Sequence, residues 1–279
     1  MGNYYCMMAG APDLEMGIKH MDCTLPEFKE QCEEALSPAD KKLISVFFLR
    51  YDCLNIVRLL RNPDAELEEL GNYTKAQYHD LLTSAREMNF NVHRYPSFMS
   101  VFARQYAYNK DLEGYFPEDE MMGAYLEYAS KCPNRMMSKW YRLIRDINNI
   151  LTAMIARKNG WNVADYIQGD TKVNEMIRNN NSRDFDLTHE YDYVKDLMKI
   201  VDEEDPVQKE RYIDAFKWVW LDEQTFFNPF SIEAVFAYLC KLEMLQRWER
   251  LDPEKGKATF ERIIDELRGE ARVPAEFKV

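Results

Sequence analysis

Apolar residues recur at three- and four-residue steps through most of this chain, and short polar stretches cut the pattern into long segments. The sharpest start is Ser37-Pro38-Ala39-Asp40, where a serine N-cap, a proline in the first turn and an adjacent acid open a helix. Leu43, Ile44, Phe47, Phe48, Tyr51, Leu54, Leu59 and Leu60 carry that helix to Arg61, and Asn62-Pro63 ends it. The same periodicity predicts helices over Leu25 to Ala35, Tyr78 to Met88, Ser97 to Asn109, Glu118 to Cys132, Met136 to Asn159, His189 to Val201, Pro206 to Leu221 and Ile232 to Arg250. Asp252-Pro253-Glu254 opens a last one to about Arg268. Gly160 is placed to close the helix that ends at Asn159, and Ser231 to cap the one at Ile232. Tyr4 to Ala9 reads as a short strand or extended arm, Asn179 to Ser182 as a loop, and Phe226-Phe227-Asn228-Pro229-Phe230 as a break.

Two of the long stretches carry the same five-residue box. Asp52-Cys53-Leu54-Asn55-Ile56 and Asp146-Ile147-Asn148-Asn149-Ile150 both read Asp-x-x-Asn-Ile, with Asn55 and Asn149 94 positions apart. A second step of that length reaches Glu243, in the helix of Ala237-Tyr238-Leu239. Basic residues follow each: Arg58 and Arg61, then Arg157 and Lys158, then Arg247 and Arg250. The repetition predicts an all-α protein of three related helical units around an approximate threefold axis, divided at 1–110, 111–204 and 205–279. No Gly-, Ser- or Pro-rich linker separates the segments, so they are expected to pack as one body. Residues three apart share a helix face, so Asp52 and Asn55 put two polar groups in line with Phe48 and Leu59. A buried polar side chain without a hydrogen bond costs about 1–3 kcal/mol, so the pair is expected to bond a neighbouring helix end or a partner protein. The basic residues sit where helix dipoles favour cations. Asp52, Asn55, Arg58, Arg61, Asp146, Asn149, Arg157, Lys158, Glu243 and Arg247 are therefore repeat-motif positions, with structural or partner-contact roles.

Composition removes whole classes of function. Asp and Glu outnumber Lys and Arg 48 to 36, for a net charge of -12, and the basic residues form no stripe, so a nucleic-acid partner is not expected. With only 10 Gly and 11 Pro in 279 residues, long regular elements are favoured over a turn-rich β architecture. The six cysteines form no Cys-x-x-Cys pair and read as free thiols in a reducing compartment. No apolar run approaches the ~20 residues that span a bilayer, and the N-terminus has no basic region before Tyr4-Tyr5-Cys6. Phosphate-binding loops, dinucleotide fingerprints and the Gly-x-Ser-x-Gly elbow are absent, so no catalytic site, nucleotide or cofactor is expected. Asp186-x-x-His189 is the nearest approach to metal-ligand spacing and reads as a surface pair, so no metal is expected either. Met7-Met8, Met121-Met122 and Met136-Met137 read as gap-filling core, and Trp218, Trp220, Phe226, Phe227 and Phe230 as packing between the second and third segments.

The run Asp52-x-x-Asn55-Ile56-Val57-Arg58-Leu59-Leu60-Arg61 resembles the first repeat of the C/d family of connector proteins in A/V-type ATPases. Asp146, Asn149, Ile150, Arg157 and Gly160 resemble that family's second repeat, and Ala237-Tyr238-Leu239 with Glu243 and Arg247 its third. Tyr4-Tyr5 with Ala9-Gly10-Ala11-Pro12-Asp13-Leu14 further resembles a divergent bacterial family associated with V-type ATPase gene clusters. The chain departs from the pattern at Asn62-Pro63, at Ile155, where an arginine would stand, and in the third repeat, which lacks the Asp-x-x-Asn spacing. The resemblance implies a funnel of three helical units on the cytoplasmic face of a membrane. It would seat the central-stalk subunits and rest on the membrane rotor ring, coupling ATP chemistry to ion transport without chemistry of its own. The competing readings are a helical scaffold or adaptor with an unrelated partner, and an enzyme whose site is built around the Tyr-rich N-terminal arm.

Overall fold

Ser37 and Asn134 start the two longest helices by the same device, a side-chain oxygen that accepts the orphan N–H groups of the first turn. Ser37 takes Asp40 N–H, and Asn134 takes those of Met136 and Met137. In the computed structural model, which describes residues 4–16, 21–87, 94–108 and 117–250, the chain is all-α. Its helices are α1 (Tyr5–Gly10), α2 (Leu25–Ala35), α3 (Pro38–Arg61), α4 (Lys75–Arg86), α5 (Ser97–Tyr108), α6 (Pro117–Ala129), α7 (Arg135–Lys158), α8 (Lys172–Asn179), α9 (Val194–Asp202), α10 (Pro206–Thr225) and α11 (Ile232–Arg250). Short 3-10 turns at Val163–Asp165 and Leu187–His189 join α7 to α8 and α8 to α9. The helix expected from 253 to 268 lies outside the described residues. Tyr4 to Ala9, read from sequence as strand or arm, is instead the short helix α1.

The chain divides into two compact units. One is contiguous, Leu36–Phe226, and holds α3 to α10 with both boxes. In it α6 packs against both box helices, α3 and α7. Tyr125 of α6 makes the link visible: its hydroxyl donates to Phe47 O at 3.5 Å and its ring meets Tyr141 edge-on at 5.9 Å. Beyond α7, Ile147, Ile150, Val173, Ile177, Phe185, Leu187, Val194 and Leu197 close a core between α7, α8 and α9. Trp140 lies on Trp220, which ties α10 to α7.

The other unit joins the two ends of the chain, α1 and α2 with α11. Tyr4 N–H donates to Phe230 O at 2.9 Å, and the Tyr5 ring sits 4.6 Å from that of Phe230. Tyr238 of α11 donates its hydroxyl to Pro12 O at 2.8 Å while its ring packs on Phe28 of α2. Leu25, Phe28 and Cys32 on α2 and Val235, Phe236, Leu239 and Leu242 on α11 are buried. Ser231 caps α11 by accepting Ala234 N–H.

Candidate functional site

On α3 the periodicity turns Asp52 and Asn55 inward, between Phe48 and Leu59, and all four are buried. The polar pair is saturated from one direction, by the loop between α3 and α4 and by Tyr78 on the start of α4. Asn55 treats Glu68 as a strand would: its Nδ2 donates to Glu68 O at 2.9 Å and its Oδ1 accepts Glu68 N–H at 2.7 Å. Asp52 Oδ1 accepts the Tyr78 hydroxyl at 2.5 Å and the N–H groups of Asn72 (2.7 Å) and Tyr73 (3.2 Å), and its Oδ2 accepts Asn72 Nδ2 at 2.6 Å. Those amides lead straight into Thr74, which opens α4 with a reciprocal Thr74–Gln77 capping box. Burial pushes the Asp52 carboxyl above the usual range, against the pull of the four bonds. Burial and the neighbouring Asp52 push the Tyr78 phenol up as well. Gly71 is required here, because a Cβ would stand 2.5 Å from the Tyr78 hydroxyl and 2.7 Å from Asp52 Oδ1. Arg58 ties the same loop from outside, donating to Glu68 Oε1 (2.8 Å) and Glu66 O (3.4 Å). Arg61 instead crosses to Glu118 at the start of α6 with bonds of 2.6 and 2.8 Å.

The second box repeats the asparagine and not the aspartate. Asn149 Nδ2 donates to Gln168 O at 3.0 Å and its Oδ1 accepts Gln168 N–H at 2.9 Å, the same two-bond grip on one residue of the loop after the helix. The role that Asp52 plays toward its loop falls here to Asn174 of α8, whose Nδ2 donates to Gln168 O (2.6 Å) and Gly169 O (2.8 Å). Asp146 grips no loop. Its Oδ1 has no hydrogen-bond partner and lies 3.8 Å from Arg145 Nε, with both side chains largely buried. Burial raises its carboxyl to about 6, with Arg145 and Arg142 pulling the other way. Arg157, near the end of α7, holds the next loop: it donates to Asn180 O, Asn181 O and Ser182 O and lies 3.9 Å over the Phe185 ring. Phe185 and Asp186 are left-handed, at φ 56° and 61°. Asp184 holds that turn through Thr188, Ser182 and Asp186 N–H, and the hydrogen bond from Thr188 leads in lowering its carboxyl to about 2.

The remaining candidates scatter. Lys158 is exposed at the end of α7. Glu243 is half-buried on α11 and Arg247 lies 5.9 Å over the Trp248 ring, in the other unit. The structure thus gathers Asp52, Asn55 and Arg58 on one loop, puts Asn149 and Arg157 on two loops in succession, and leaves Asp146 apart from both. Tyr78, Asn72, Gly71 and Asn174 complete the grips and are not recognised from sequence; the Gly71-Asn72 turn just ahead of the Thr74 cap was the available signal. His189 and Asp186 form an exposed pair at 3.6 Å, and among the described residues no group of three or more His, Cys, Asp or Glu is placed to hold a metal ion. The cysteines are free, with Cys32 raised to about 12 by burial. Met121, Met136 and Met137 are buried, as is Trp218, while Phe226 and Phe227 are exposed. No helix among the described residues is long and apolar enough to cross a membrane.

Fold and site together define a helical protein in which a repeated polar box binds the chain's own loops. The chain belongs to the family described as "Protein of unknown function (DUF2764)", whose profile matches residues 1–271. No curated protein and no solved structure has significant similarity to it.

Proposed function

We propose that this chain is the non-catalytic connector of a V/A-type rotary ATPase, placed between the central stalk and the membrane rotor ring at the cytoplasmic face. The observation that carries the reading is the paired grip of Asn55 on Glu68 and of Asn149 on Gln168. The residues on which the resemblance to the C/d connectors rests are one structural device used twice, which supports reading them as a true internal repeat. In the proposed assembly the box helices α3 and α7 and the helix α11 sit around an approximate threefold axis and form a funnel. Polar groups at helix ends then meet the stalk on one side and the ring on the other. A connector transmits torque, which suits loops fastened to long helices by several hydrogen bonds each. It needs no chemistry, which suits an Asp52 carboxylate occupied by its own chain. The decisive experiment deletes the gene and measures ATP-driven ion transport and assembly in membranes, beside affinity purification of the tagged protein. Loss of coupling, with stalk and ring subunits recovered in the purification, is the expected result. Intact transport and assembly would sink the proposal and leave the helical adaptor as the better reading.

A further inference from the structure

The expectation that the basic residues form no stripe fails at one place, the first half of α7. Arg135, Lys139 and Arg142 follow one another at four- and three-residue steps, which sets them along one face of that helix over about 10 Å. All three are exposed, while Met136, Met137, Trp140 and Tyr141 between them are buried, so the row is the outer face of a packed helix. Its frame is fixed: Asn134 Oδ1 accepts the N–H groups of Met136 and Met137, and the Ser138 hydroxyl donates to Ser130 O at 2.6 Å. Elsewhere exposed cations meet carboxylates, as Arg58 meets Glu68, Arg61 meets Glu118 and Lys172 meets Glu190. Arg135, Lys139 and Arg142 have no hydrogen-bond or ion-pair partner among the described residues.

The helix itself does not call for them. Cations at the start of a helix oppose its dipole, and neighbours of like charge repel, so the row works against α7 rather than for it. The basic residues of the boxes differ, since Arg58, Arg61, Arg157 and Lys158 sit at C-terminal ends. Asp146 takes the next place on this face, four residues after Arg142, and reverses the sign; its Oδ1 has no hydrogen-bond partner and its side chain is 15% exposed. A phosphate chain carries the same charge at every step and would run onto that carboxylate, and with Trp140 and Tyr141 buried the row has no ring on which a base could stack. A protein segment can set acids opposite the three cations and end them, or place a basic residue, at Asp146. The net charge of -12 does not decide this local contact, because exposed charges are screened beyond roughly 8–10 Å, about the length of the row. We propose that Arg135, Lys139 and Arg142 form a docking row for an acidic segment of another protein, one that carries carboxylates at three- or four-residue spacing on a single helix face.

The test uses the amine of Lys139. The full chain is tagged and expressed in its own cells, which are lysed gently and treated with a water-soluble carbodiimide, a reagent that joins an amine to a carboxylate in contact with it. Linked peptides of the purified chain are identified by mass spectrometry, with Lys158, exposed at the other end of α7, as the control amine. The expected product is Lys139 joined to an Asp or Glu of a different protein, within a segment that has two more acids at helical spacing, at a yield above that of Lys158. Arg135→Glu together with Arg142→Glu should lower this yield by about tenfold at limiting partner concentration. The double variant should melt at the same temperature or higher, since acids suit the start of a helix. A yield at Lys139 no higher than at Lys158, a link only to this chain or to a second copy, or a link that survives the double reversal in folded protein would overturn the proposal. So would nucleic acid or anionic lipid that the unaltered chain retains and the double variant loses. The result stands apart from the connector reading, which gene deletion tests on its own.

Discussion

Removing the Asp52 carboxylate takes the acceptor from the Tyr78 hydroxyl and from two backbone N–H groups, and leaves the Asn72 amide with Ser45 O alone. Asp52→Ala should therefore lower unfolding free energy by roughly 3–5 kcal/mol, measured in urea. Neutralising the aspartate of the second box has the opposite sign. Asp146 is buried without a hydrogen bond to Oδ1, and its folded pKa of about 6 lies above the ordinary 3.8. A carboxyl raised in the folded state binds more protons there than in the unfolded chain between these two values. Its contribution to stability thus falls as pH rises from 3.8 to about 6 and is flat above. Asp146→Asn should add about 1–2 kcal/mol at pH 7.5 and remove this slope from a stability-versus-pH series; unchanged stability at both pH 4 and pH 7.5 would count against the account. Gly71→Ala tests the crowding directly. The methyl has nowhere to go without breaking the Tyr78–Asp52 bond, so a clear drop in melting temperature is expected.

The unit of construction one level up is a long helix, an inward asparagine and the loop it grips. Asn55→Ala and Asn149→Ala should each cost roughly 2–3 kcal/mol. Hydrogen exchange should then speed up at Glu68 and its neighbours in one variant, and at Gln168 and its neighbours in the other. Fast exchange throughout the chain would show that the grips are not local. Arg61→Ala removes only an exposed pair and should cost about 1 kcal/mol or less. The helices were legible where local chemistry states them, at Ser37-Pro38, at Gly160 and at Ser231, and Asn55 was legible as a polar group on an apolar stripe, with Asn149 as its repeat. Their partners were not, because Glu68 follows its asparagine by 13 residues and Gln168 by 19, so no common spacing marks them. Tyr4 to Ala9 could not be read as helix from its own residues, since Tyr4 and Tyr5 are fixed by Phe230 at the far end of the chain. Helix α8 is too short to declare a period, and α9 begins at Val194 rather than His189 because the left-handed Phe185–Asp186 turn and the 3-10 turn occupy the approach.

At the scale of the whole molecule, the contiguous unit holds both boxes, both grips and its own apolar core. A fragment spanning Leu36–Phe226 should therefore fold alone, with cooperative thermal loss of the helical circular-dichroism signal; a gradual, non-cooperative melt would refute its autonomy. The other unit is made differently, since its first 35 residues pack on residues from 227 onward, through contacts such as Tyr4 with Phe230, Pro12 with Tyr238 and Phe28 with Tyr238. That arrangement sets an order of events at the ribosome. The first helices emerge long before their partner exists and wait, with Phe28 and Leu25 uncovered, while α3 to α10 are synthesised and can complete their own packing. Folding of the middle also draws the two ends of a long segment together and so lowers the entropy of joining them. A nascent chain stalled before residue 232 should thus expose the apolar face of α2, Leu25, Phe28 and Cys32, for as long as the stall lasts, making α2 the segment that a chaperone would meet first.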